Sequence, residues 1–143
     1  MSMSRTALQR ILRIIPDYNG VNYVTTAAAA GASNVTEVTF TVRDAAGDAV
    51  TAPHSLIIML SDAATGAGLT ATTASGTVAA KAASGTDLAT LTTKKALLVQ
   101  TKADGTYILS ITDTAKTNFY PVAFIPATGQ AYVGTQISTA NYG

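Results

Sequence analysis

Few residues in this chain of 143 carry reactive chemistry, and their types set the first limits on function. His54 is the single histidine, Glu37 the single glutamate, and there is no cysteine. A hydrolytic triad needs an imidazole with a nucleophile and an orienting acid, and a structural zinc site needs several His or Cys ligands. One imidazole without thiols supplies neither, and His54, directly after Pro53, reads as the start of a strand. Glycoside hydrolysis needs two facing carboxylates. Asp44, Asp48, Asp62, Asp104 and Asp113 all fall where turns are expected, and an Asx-turn accounts for each. The spacing D-x-D-x-D-G of a calcium loop is absent. Gly66-Ala67-Gly68 lacks the further glycine and the helix that a phosphate cradle requires. Lys94-Lys95 reads as a solvated approach to a strand rather than an anion site. A Lys–Asn isopeptide link needs a lysine facing an asparagine beside a buried acid, and the first strand of the domain offers no lysine. The expectation is a protein without catalytic residues, cofactor or metal.

The elements that would position these side chains follow from composition and period. Hydrophobic residues make up 48% of the chain, but 27 of them are alanine. Charged residues are only 12%, and the net charge of +1 gives no field toward polyanions. The 24 threonines with 10 valines and 9 isoleucines favour a pleated sheet, because β-branched side chains are stiff at χ1. No run approaches 18 continuous apolar residues, and two arginines interrupt the apolar stretch near the N-terminus. A membrane partner and a cleaved secretory signal are therefore not expected. Nucleic acid is not expected either, since Arg5, Arg10 and Arg13 come without aromatic stacking partners.

The chain divides near residue 34. In residues 1–34, Ser4 can cap a short helix in which Leu8, Ile11, Leu12 and Ile15 fall at i, i+3, i+4 and i+7. Pro16 ends it, and Asp17-Tyr18-Asn19-Gly20 is a turn. Val21 to Val24 fits a short strand or an extended clip. Thr25 to Asn34, with four consecutive alanines, reads as a tether without packing power. So short a helix is marginal alone, and its apolar stripe must be buried on its own domain or on a partner.

From residue 35 to 143 the period is two. Val38, Phe40 and Val42 alternate with Thr39, Thr41 and Arg43. Leu56-Ile57-Ile58-Met59-Leu60 reads as a central strand covered on both faces. Short strands are expected around Leu69, Val78 and Leu88–Leu91. Two further strands, 96–101 and 107–111, flank the Asp104-Gly105 turn. Residues 119–125 contain Pro121, which predicts an edge strand or a bulge, and 131–138 closes the domain. Seven or eight short strands without helices between them predict an all-β antiparallel sandwich, with a barrel as the structural alternative.

Two segments carry a family resemblance. Val38-Thr39-Phe40-Thr41-Val42-Arg43-Asp44-Ala45-Ala46-Gly47-Asp48-Ala49-Val50 resembles the opening strand and turn of bacterial immunoglobulin-like, invasin-type repeats. Thr101-Lys102-Ala103-Asp104-Gly105-Thr106-Tyr107-Ile108-Leu109-Ser110-Ile111-Thr112 is similar to their hairpin. The longer run from Leu60 to Thr92 resembles small immunoglobulin-like proteins of tailed bacteriophages, which are commonly capsid decoration (cement) proteins or virion fibres. The resemblance covers residues 35–138 and implies an Ig-like β-sandwich. It also implies a non-enzymatic virion protein, assembled in the host cytoplasm and placed on the capsid surface. Its partners would be the major capsid protein or other shell subunits, with a homotrimer suiting three-fold positions. Residues 1–34 lie outside the resemblance. Their apolar stripe, Leu8, Ile11, Leu12 and Ile15, is expected to dock on the partner. Arg5, Arg10, Arg13, Tyr18 and Tyr23 are expected beside it. A receptor- or carbohydrate-binding module of a fibre is the second expectation.

Overall fold

The computed structural model describes residues 20–143. The helix expected before Pro16 lies outside them, as do Arg5, Leu8, Arg10, Ile11, Leu12, Arg13, Ile15 and Tyr18. The described residues form nine strands: β1 (Tyr23–Ala30), β2 (Val35–Arg43), β3 (Ser55–Ser61), β4 (Val78–Ala80), β5 (Thr86–Thr92), β6 (Ala96–Gln100), β7 (Thr106–Thr112), β8 (Tyr120–Ile125) and β9 (Gln130–Val133). A single 3-10 turn, Thr139–Asn141, follows. All pairing between strands is antiparallel, in a four-stranded sheet ordered β1-β2-β7-β4 and a five-stranded sheet ordered β5-β6-β3-β8-β9.

Alternation builds the core. On β2, Thr36, Val38, Phe40 and Val42 are buried, while the residues between them are half-buried. β7 contributes Tyr107, Leu109 and Ile111 to the same inner face. The opposing sheet supplies Leu56, Ile58 and Leu60 from β3, Leu97 and Val99 from β6, and Ala123 and Ile125 from β8. These residues form one apolar cluster across both sheets, as in a β-sandwich. Each full burial of such a side chain contributes about 1.5–3 kcal/mol. Phe40 and Tyr107 sit opposite one another on adjacent strands, their rings 6.3 Å apart and tilted by 53°.

Several expectations need correction. The segment 25–34, read as a tether, holds most of β1, which pairs with β2 from Tyr23↔Arg43 to Ala30↔Thr36. Its alanines offer little to pack, but an edge strand is held by backbone hydrogen bonds to its neighbour, and these need no large side chain. The folded sheet thus begins before residue 34, and β1 adds a ninth strand to the eight that follow residue 34. β3 is the central strand of its sheet, yet Ile57 and Met59 on its outer face are only half-buried, so one face alone is fully covered.

β8 is neither at an edge nor bulged against β3. Pro121 pairs with Leu60, and its carbonyl accepts from the Gly134 amide at 2.8 Å on the β9 side. The missing N–H faces that same side, beyond the last paired residue of β9, Val133. A proline is tolerated there because the ladder ends on this rung, where the Gly134 amide supplies its one bond and no donor is needed beyond it. β9 is correspondingly shorter than expected, and Ile137 returns only as an isolated bridge to Phe119. No strand forms at Leu69, which lies in the 16-residue connection 62–77 between the two sheets.

Candidate functional site

Four acids of the domain, Asp44, Asp62, Asp104 and Asp113, are occupied by loop groups. Asp44 accepts from the amides of Ala46 and Asp48 at 2.9 and 3.0 Å, closing the turn after β2. Asp104 accepts from the Thr106 hydroxyl at 2.7 Å and from its amide at 3.0 Å, and these bonds hold its carboxyl below the usual range. Asp62 does the same across the long connection. It accepts from Thr70 Oγ1 at 2.6 Å and from the Ala71 amide at 2.9 Å, which again lower its pKa.

Asp113 is the most enclosed acid, with 1% of its surface exposed. Burial pushes its carboxyl up, but donation from Thr117, Ser75 and Ala115 outweighs that and brings it down to about 2. Asp87 differs in bridging the sheets. It accepts from Tyr107 Oη at 2.6 Å and from the Ala80 amide at 2.9 Å, tying β5 to β7 and β4. Burial first, then the Asp87 carboxylate, pushes the Tyr107 phenol well above its ordinary value.

The bases behave alike. Lys94 Nζ donates to the carbonyls of Ala74 and Ser75 at 3.1 and 3.3 Å, and Lys95 Nζ to that of Ala71 at 3.3 Å. The pair read as a solvated approach to a strand therefore clamps the 62–77 connection onto the β5–β6 turn. The sequence hides this because the acceptors are backbone carbonyls about twenty residues away. Lys81 pairs with Glu37 at 2.7 Å on the surface. The His54 carbonyl accepts from the Thr101 amide and the His54 amide donates to Thr101 Oγ1, both at 2.9 Å, while its Nε2 is buried without a partner. Among the described residues, no three His, Cys, Asp or Glu side chains stand close enough to hold a metal ion. No helix among them is long and apolar enough to cross a membrane.

The remaining features lie along β1. Tyr23, the one partner-binding residue of the expected set that is described, packs on Tyr132 of β9 with ring centroids 6.5 Å apart and planes at 56°. Tyr132 Oη donates to the Asn22 carbonyl at 2.6 Å. Arg43 beside them donates to Thr25 Oγ1 at 2.9 Å and to the Gly47 carbonyl at 3.0 Å. Further along, a cavity of about 200 Å³ opens between Thr26, Ala27 and Ala28 on one side and Thr135, Gln136 and Asn141 on the other, and it reaches the buried Val38.

No family model, curated protein or solved structure matches this chain. The site is therefore defined by its own geometry, an open strand edge with a groove beside it. Sequence reasoning missed that edge because Ala27–Ala30 carries neither period nor bulk. The β-branched start, Val24-Thr25-Thr26, was the available signal.

Proposed function

We propose that this protein is a non-enzymatic virion structural protein. In this reading it decorates or cements the capsid of a tailed bacteriophage, with its N-terminal segment and its domain docked on the major capsid protein or other shell subunits. The observation that carries the reading is the employment of the charged groups. Asp44, Asp62, Asp87, Asp104, Asp113, Lys94 and Lys95 each hold the chain's own loops or strands together. A domain whose ionic groups are used in this way is suited to holding position rather than to turnover. Its Thr- and Ala-rich surface costs little to desolvate against a neighbour, unlike one rich in Lys and Glu. Many copies on one shell would add avidity.

The Ig-like assignment belongs to the same proposal. The order β1-β2-β7-β4 corresponds to strands A-B-E-D of a constant-type immunoglobulin sandwich, and β3-β8-β9 to C-F-G. The β5–β6 hairpin departs from that pattern, adding itself beside β3 from a position between the D- and E-like strands. A short N-terminal helix and trimeric assembly at three-fold positions complete the proposal.

Co-sedimentation with assembled capsids tests it. Saturable binding at a fixed copy number per capsomer is the expected outcome, and absence from the particle fraction would reject the reading. A second reading, a carbohydrate- or receptor-binding module, draws support from Tyr23 and Tyr132 meeting at one edge. Saturable glycan binding that is lost in Tyr132→Ala would favour it.

A further inference from the structure

Four strands border the two sheets: β1 and β4 in one, β5 and β9 in the other. Exposed edges invite pairing with other chains, and proteins blunt them by shortness, charge, proline or bulges. β4 has three residues and β9 has four. β5 breaks register twice, leaving Leu88 and Leu91 unpaired between Asp87 and Ala89 and between Thr90 and Thr92. β1 has none of these devices: eight residues, regular pairing, no charge and no proline. Residues 132–143 flank it, with Tyr132 Oη on the Asn22 carbonyl and Gly134 against Thr26, but they give its edge no backbone bond.

The hydrogen-bond parity shows which groups are open. Gly31 donates to Val35 and Val42 donates to Gly105, so odd residues of β1 face β2. The N–H and C=O groups of Val24, Thr26, Ala28 and Ala30 point away from it, and no described residue pairs with them through the backbone. The groove of about 200 Å³ opens on this border, with space for one or two branched aliphatic side chains.

The geometry points to an occupant within the same chain: the N-terminal segment, whose apolar stripe of Leu8, Ile11, Leu12 and Ile15 seats one or two side chains in the groove and lays the others along the β1 edge in the free protein. The described chain starts at Gly20, three residues before β1. Ile15 and Leu8 precede Gly20 by five and twelve residues, a reach of roughly 17 to 40 Å when extended. β1 is about 26 Å long, so the segment can span all of it. Covalent attachment gives the segment an effective concentration of order mM at this edge, ahead of any second copy at μM concentration. The seat is intramolecular and does not depend on the shell reading. If that reading holds, a shell subunit that takes the segment must displace it from here.

The absence of native cysteine makes the test clean. The full chain carrying Ile11→Cys and Gln136→Cys is oxidised at μM concentration beside a control carrying Ile11→Cys and Thr90→Cys on β5, at the far edge of its sheet. The expected result is a monomeric cross-link in the first pair, favoured over covalent dimers by about 10³-fold. Equal cross-linking in the control, or covalent dimers as the main product, would overturn the proposal. A nitroxide on Thr139→Cys, just outside the groove lining, gives a second reading in an otherwise unchanged chain. The methyl signals of Leu8, Ile11, Leu12 and Ile15 are expected to broaden, undiminished when the labelled chain is diluted with unlabelled protein. Sharp methyl signals, or broadening that dilution removes, would overturn it. Neither arm involves a capsid, so failure of the shell reading leaves both results interpretable.

Discussion

Asp113 shows how one residue couples the loops to pH. Its carboxylate joins Ser75, from the connection between the sheets, to Ala115 and Thr117, from the loop after β7. The folded-state value of about 2 lies below the ordinary aspartate value of 3.8. The stabilisation is therefore complete well above the unfolded value and is lost as the pH falls from about 4 through 2. Asp113→Asn should cost about 2 kcal/mol at neutral pH, and the deficit against the parent should vanish near pH 2, as read from urea midpoints across a pH series. Gly85 presents a steric counterpart. Its φ is +118°, and a Cβ there would land on the Tyr107 ring, with the Gln100 carbonyl at 3.0 Å. Gly85→Ala should cost about 3 kcal/mol in thermal or urea denaturation, because neither the backbone nor the buried ring can yield cheaply. The turn roles of Asp44 and Asp104 were legible in the sequence, since an Asx acceptor serves amides two to four residues away. The partners of Asp87, Lys94 and Lys95 were not, because they lie on other strands or loops.

At the scale of elements, the strands with large alternating side chains, β2 and β7, follow directly from the pattern of their residues. β1 does not, since Ala27–Ala30 has no alternation to read and its strand state is imposed by pairing with β2. That dependence gives a parity prediction. The Ala27 amide faces Thr39 on β2, whereas the Ala28 amide faces the open edge. Ala27→Pro should therefore cost roughly 2 kcal/mol more than Ala28→Pro, since only the former removes a ladder bond. Equal losses in denaturation midpoint would show that the parity is wrong. Pro121 illustrates the same rule within the native chain. Its presence predicts an interrupted ladder, but which side the interruption falls on depends on where β9 stops.

For the whole molecule, one apolar cluster joins both sheets and takes in Phe119, Ile137 and Tyr142 from outside the strands. The Tyr142 hydroxyl donates to the Thr117 carbonyl at 2.8 Å, so the C-terminal turn is fastened to the loop after β7. A shared core of this kind unfolds as one unit. Far-UV and near-UV (tyrosine) circular dichroism should give superimposable transitions, and separated ones would mean that the sheets unfold independently. The sequence by itself determined the class of the molecule. Period-two burial with β-branched composition leads to strands, and turn residues spaced between them lead to an antiparallel all-β fold. It also determined the inventory of reactive residues, one histidine, one glutamate and no cysteine, because inventory is a property of composition alone. Only the tertiary structure decided which edges are open, which loops the lysines and aspartates clamp, and that an alanine run becomes a strand. Each of these depends on backbone partners distant in sequence, and a backbone donor or acceptor leaves no mark in the identity of the residue that carries it.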